Sequence, residues 1–251
     1  MKEKIQNYLK EIEEERKVKI LLACETGSRA WGFPSPDSDF DVRMIYVHEK
    51  DWYLSLSEGK DSIERMFEDN DLDITGWDLR KSLRLLKKSN SPLIERIQSP
   101  ILYRNNEKFR EGIRELATAS YSRIACMHHY LSMSAKIFEE IHAQDSYKLK
   151  KFFYALRTAC VCEWIRTRED LPPIEFKNVL NGIEITSSLI EQIDKLIELK
   201  SQASEAYLHT GEKELFSYIE SCLQQAKAIA SDLPAAKAPT DKLNSFFRAW
   251  I

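Results

Sequence analysis

Apolar positions recur at helical spacing from the start of the chain. Ile5, Tyr8, Leu9 and Ile12 share one face of residues 2–16, which the spacing predicts as an amphipathic helix. Lys17 to Cys24 (KVKILLAC) is a short apolar run with the pattern of a buried strand. Glu25 to Gly32 reads as a turn entering a short helix, and Pro34 to Ser38 (PSPDS) as a loop. Phe40 to Val47 (FDVRMIYV) is rich in β-formers and predicts a second strand. A short helix is expected over Asp51 to Leu56, a weak strand over Ser62 to Phe67, and a stronger one over Asp71 to Trp77. Leu79 to Lys88 should be a helix, with Asp78 as its natural N-cap.

From about residue 107 the pattern changes to long helical stretches, at 107–141, 147–168, 187–200 and 201–231, interrupted by Pro172-Pro173. Residues 241–251 should form one further docked helix. The chain is thus expected to be α+β, with an α/β domain over 1–105 and a helical domain over 106–251. The helical part should pack against the first and form one wall of a cleft, since ligand sites favour domain junctions.

Composition narrows the class. A net charge of −3 gives no global basic signature for nucleic acid, although a local basic groove is compatible with it. The five cysteines, Cys24, Cys126, Cys160, Cys162 and Cys222, include no CxxC pair, which disfavours a disulfide framework or zinc site. The N-terminal residues lack the apolar core of a signal peptide, and no apolar run is long enough to span a bilayer. A cytoplasmic protein without membrane contact is the expectation.

The chemistry concentrates in Gly27-Ser28 and in Asp37-Ser38-Asp39-Phe40-Asp41. On a strand, Asp39 and Asp41 project from the same face, roughly 7 Å apart at Cα. Two carboxylates so placed repel each other unless a cation lies between them, and hard oxygen ligands suit Mg²⁺, with Mn²⁺ as a substitute. Gly27 lets the backbone approach a ligand closely, and Ser28 adds a hydroxyl at the start of the short helix. A phosphate seat beside a metal seat suits phosphoryl or nucleotidyl transfer. Arg29 could reach a phosphate, and Arg43 continues the alternation of Asp39 and Asp41. Both have a plain alternative, as a surface arginine and a structural ion pair. Lys150, Tyr154 and Arg157 fall on one helical face with Lys151 beside them.

The stretch GSRAWGFPSPDSDFDVRMIYV resembles the GS…DxD signature of the DNA polymerase beta nucleotidyltransferase superfamily. More narrowly, it resembles its bacterial RNA-repair-pathway family. That similarity continues through DITGWDLRKSLRLLKKSNSPLIERIQSPILY (73–103), KLKKFFYALRTACVCEWI (148–165) and LPPIEF (171–176). The resemblance implies a polymerase-beta-like domain with a mixed sheet, followed by a helical bundle. It implies that Asp39 and Asp41 bind the catalytic metals and that Gly27 and Ser28 hold the triphosphate of an NTP. A third carboxylate is expected from a neighbouring strand. Asp73 and Asp78 both sit between apolar residues, and Asp73 is preferred because Asp78 has a capping role. The resemblance also implies that Tyr154 stacks on the base while Lys151 and Arg157 hold phosphates; a basic solvated face with Tyr154 at its edge is the alternative. The expected reaction moves an NMP to a hydroxyl, with an RNA 3′ end as the first candidate acceptor. A protein or small-molecule hydroxyl, and a non-catalytic nucleotide-binding partner, are the alternatives.

Overall fold

The computed structural model describes residues 1–67 and 71–251. In chain order its elements begin with α1 (Lys2–Arg16), β1 (Val18–Glu25), α2 (Gly27–Trp31), β2 (Phe40–His48), α3 (Lys50–Leu54), β3 (Ser62–Met66) and β4 (Leu72–Asp78). Then come α4 (Leu79–Leu86), α5 (Ser91–Gln98), β5 (Leu102–Asn105), α6 (Glu107–Ala119), α7 (Arg123–His142), β6 (Tyr147–Lys148) and α8 (Leu149–Thr167). The chain ends with α9 (Phe176–Leu180), α10 (Ser187–Gln202), β7 (Leu208–His209), α11 (Lys213–Ile229) and α12 (Thr240–Trp250). The protein is α+β, and no helix among the described residues is long and apolar enough to cross a membrane.

Two compact units form, neither continuous in sequence. The first comprises 1–30, 39–121 and 237–251, and the second 31–38 and 122–236. This differs from a single cut at 105. Helix α6 stays with the first unit, where its Phe109 is fully buried. The tail helix α12 joins it there, setting Phe246 and Trp250 5.5 and 5.1 Å from the Phe109 ring.

The first unit is built on a mixed sheet in the order β3-β4-β2-β1-β5. Only β2 and β4 are parallel, and the other pairs are antiparallel. Ile5, Leu9 and Ile12 of α1 cover one face, against Val42, Met44 and Tyr46 of β2 and Leu72 and Ile74 of β4. Gly76 is required on that face, because a Cβ there would come within 2.5 Å of the Met44 side chain. Strand alternation therefore sends Asp41 and Arg43 of β2, and Asp73, Thr75 and Trp77 of β4, to the other face.

The second unit centres on α8, which is buried along almost its whole length and is flanked by α7 and α11. The segment 31–38 docks on this unit. Phe33 stacks on Phe153 with ring centroids 4.9 Å apart, and the buried Lys200 donates to Ser35 Oγ at 2.8 Å. The expected helix over 107–141 is in fact two. Ser120 closes α6, and the Ser122 hydroxyl caps α7 by accepting from the Ala125 N–H. Likewise 201–231 is not one helix: Ser201 and Gln202 end α10, and the β7 strand intervenes before α11 begins.

Candidate active site

The end of β1 and the start of β2 are fastened together before any side-chain chemistry is added. Thr26 N–H donates to the Asp41 carbonyl at 2.9 Å, and the Thr26 hydroxyl donates to the same oxygen at 3.1 Å. Gly27 follows with φ 66°, a left-handed conformation that glycine adopts without strain. It also passes close to the acid, since a Cβ at Gly27 would lie 2.7 Å from Asp41 Oδ2. The glycine is thus fixed twice, by its backbone angle and by the carboxylate beside it. Ser28 comes next, mostly buried, in the short helix α2.

Asp41 and Asp73 are register partners on the parallel strands β2 and β4. A single nitrogen of Arg43, Nη2, bridges them, at 2.8 Å from Asp41 Oδ1 and 2.9 Å from Asp73 Oδ2. Arg43 Nη1 donates to the backbone carbonyls of Val42 and Asp73, both at 3.1 Å. The guanidinium side chain is 17% exposed, Asp73 26% and Asp41 36%, so the cluster opens toward solvent at the carboxylates. Asp39 lies just before β2 and is exposed. Arg29 lies over the Phe40 ring at 3.8 Å and donates from Nε to the Asp39 carbonyl at 3.1 Å, which holds the approach to β2 in place.

Asp78 sits elsewhere. It is fully buried at the far end of β4 and caps α4 by accepting from the Arg80 N–H at 2.8 Å. Its other oxygen accepts from the Tyr53 hydroxyl, and burial raises its pKa.

Three residues that the sequence did not single out support the site. Glu25 is fully buried and accepts the Asp41 N–H at 2.6 Å through Oε1, and the Tyr103 hydroxyl through Oε2. Burial raises the Glu25 pKa, against the pull of those two hydrogen bonds. Arg96 of α5 is buried with its guanidinium 3.4 Å above the Trp77 ring, and burial together with nearby Arg43 lowers its pKa to about 9. Arg96 Nη1 has no hydrogen-bond partner among the described residues. In the sequence, Glu25 ends an apolar run, and Tyr103 and Arg96 lie in short elements, so no periodic signal marks them.

The candidates in the second unit separate. Tyr154 meets Trp31 edge-on at 4.8 Å and borders a cavity of about 590 Å³ with Lys148, Lys150 and Lys151. Lys151 is exposed and paired with Glu140. Arg157 departs from the expected phosphate role. It is 1% exposed, lies 4.4 Å from the Trp31 ring and donates to the Ile174 carbonyl at 2.9 Å. Its guanidinium is committed to the interior of the unit. The basic face of α4 is paired with acids, Lys81 with Asp61 at 2.8 Å and Arg84 with Glu58 at 3.1 Å.

Residues 1–249 match the RNA repair pathway DNA polymerase beta family. "Uncharacterized protein YcgL" of Bacillus subtilis (strain 168) is 39% identical over 245 residues, covering 97% of this chain and 94% of its own. A crystal structure of a nucleotidyltransferase-like protein from Exiguobacterium sibiricum aligns over 97% of this chain and 78% of its own, at 9% identity and TM-score 0.30.

Proposed function

Because the chain belongs to the RNA repair pathway DNA polymerase beta family, we propose that it transfers a nucleoside monophosphate from an NTP to an acceptor hydroxyl, an RNA 3′ end, and releases pyrophosphate. One observation carries the reading. Asp41 and Asp73 stand in register on parallel strands under a shared guanidinium, with Asp39 two residues before and Gly27 pressed against Asp41.

The donor set fits a divalent cation in chemistry. It offers carboxylate oxygens on an open edge, which suit Mg²⁺ or Mn²⁺, while the Arg43 guanidinium between Asp41 and Asp73 would have to shift or share those oxygens with the ion. Among the described residues, no three acidic, histidine or cysteine side chains converge as a ready-made ligand cluster. Asp39, Asp41 and Asp73 would hold the ion, which when bound would neutralise charge on the transferring phosphoryl group and acidify the attacking hydroxyl.

The remaining roles belong to the chain itself. Gly27 and Ser28 seat the triphosphate, because the missing side chain at Gly27 leaves the backbone accessible beside Asp41. Arg29 orients Asp39 through its carbonyl, and Arg43 holds the Asp41 and Asp73 carboxylates side by side. Asp73 takes the proton of the acceptor hydroxyl. That oxygen forms a bond to the α-phosphorus, the α–β bridging bond breaks, and pyrophosphate leaves with the electron pair. In the second unit, the cavity beside Tyr154 is lined by Lys148, Lys150 and Lys151 together with Asp37, Glu140 and Glu205, and Lys150 and Lys151 are paired with Glu205 and Glu140.

The test is transfer of label from each α-³²P NTP to a mixed small-RNA pool with Mg²⁺, beside an Asp39→Ala/Asp41→Ala protein. The expected result is label on RNA that the double variant abolishes. Label on the protein, or none despite NTP binding, would overturn the RNA acceptor.

A further inference from the structure

The guanidinium of Arg43 stands where a cation shared by Asp41 and Asp73 would have to stand. The two carboxylates are register partners on adjacent parallel strands, and both lie within 2.9 Å of the same nitrogen, Nη2. An arginine that pairs with a single acid commonly presents its fork and makes two parallel bonds. Here one nitrogen serves two acids from two strands, while Nη1 donates to the carbonyls of Val42 and Asp73. The side chain is thereby fastened at both nitrogens with its charge over the gap.

A second positive charge lies close by. Arg96 is 7% exposed, and it is near enough to Arg43 and Asp73 for their charges to act on its guanidinium. A divalent ion that approaches the gap alone meets both cations, and one of them already holds the carboxylate oxygens it needs. Repulsion between like charges a few ångströms apart at a partly buried site is enough to weaken its binding about tenfold or more. A nucleotide reverses the balance. Its triphosphate brings negative charge along with the ion, and it offers the guanidinium phosphate oxygens in place of the carboxylates.

We propose that Arg43 is a built-in counter-ion that shuts the gap between Asp41 and Asp73 to a bare divalent cation and yields it to one that arrives with a nucleotide. This rests on the transferase reading, in which those aspartates hold the ion. Arg43 is then a positioning residue with two states. In the first it keeps the two acids together, and in the second its Nη atoms have exchanged carboxylate for phosphate oxygens, with no covalent bond changed. The exchange imposes an order of binding, because the ion gains its seat only when the NTP is present.

Binding of Mn²⁺ to the full chain without nucleotide, read from the electron paramagnetic resonance of the free ion, is the test. Arg43→Gln should bind bare Mn²⁺ about tenfold or more tightly than wild type, and adding Asp73→Asn should remove the gain. Arg43→Lys keeps the charge and should stay near wild type. The preformed Mn²⁺ complex of α,β-methylene-ATP, titrated by calorimetry, should bind wild type at least as well as Arg43→Gln. Because Arg43→Gln also removes a support between two acids, wild-type protein labelled with ¹⁵N-arginine gives a second measurement. Its Arg43 side-chain signal, assigned from Arg43→Lys, should stay in place under Mg²⁺ alone and shift once α,β-methylene-ATP is added. A signal displaced by Mg²⁺ alone, or bare Mn²⁺ bound no better by folded Arg43→Gln, overturns the inference. If the nucleotide complex still binds in that case, the transferase reading stands; if it binds neither protein, that reading falls as well.

Discussion

Gly27 shows how much of a site one small residue can decide. Its φ of 66°, and the 2.7 Å at which a methyl group there would meet Asp41 Oδ2, make alanine doubly unwelcome. Gly27→Ala is expected to displace the Asp41 carboxylate and cut nucleotidyl transfer about 100-fold, the scale of an ångström-level misplacement. The fold should persist, so circular dichroism and steady-state labelling on the same sample check the prediction; unimpaired labelling would contradict it. Gly27 and Asp41 stood out in the sequence because a glycine at the end of one strand and an acid on the next are spaced for contact, whereas Asp73 came only from the family resemblance, and Asp39, expected beside Asp41 on the strand, lies just before β2. Glu25 and Tyr103 did not stand out, because a buried hydrogen bond between residues 78 positions apart leaves no local pattern. Arg157 misled for a related reason. Helical spacing says which residues share a face, and gives no sign of whether that face is turned inward.

At the scale of elements, the strands that carry the site were the easiest to read, since β1, β2 and β4 are continuous apolar or alternating runs. Helix α5 and strand β5 escaped notice because α5 carries a proline in its first turn and buries Arg96 among its apolar residues, and β5 has only four residues. The turn from β4 into α4 yields a pH prediction. Asp78 has its pKa raised in the fold by burial. A carboxyl raised in the folded state favours folding below its unfolded pKa, and that contribution is lost as pH rises through the folded value. Asparagine also caps helices but has no proton to lose. The melting temperature of Asp78→Asn relative to wild type should therefore climb from about pH 4 to pH 7. A flat or falling difference would contradict the assignment.

At the scale of the molecule, the long-range returns of the chain are what the sequence concealed. Residues 31–38 leave the first unit for the second, and 237–251 come back to the first. Helix α12 is held by aromatic contacts that only the folded chain assembles, with Phe247 5.2 Å from Tyr53 and Phe246 filling the space left by Gly112. Removing 237–251 uncovers Tyr53 and Phe109 and should lower the melting temperature of the first unit by several degrees, in line with the apolar surface exposed; an unchanged melt would show that α12 is dispensable. The central proposal is that Asp39, Asp41 and Asp73 carry nucleotidyl transfer. Its most direct test is the rate of α-³²P label transfer by Asp73→Asn beside Asp78→Asn, in proteins whose melts confirm folding. Asp73→Asn should lose about 1000-fold or more, and Asp78→Asn should keep near wild-type transfer. Full activity in Asp73→Asn, or the loss falling on Asp78→Asn instead, would contradict it.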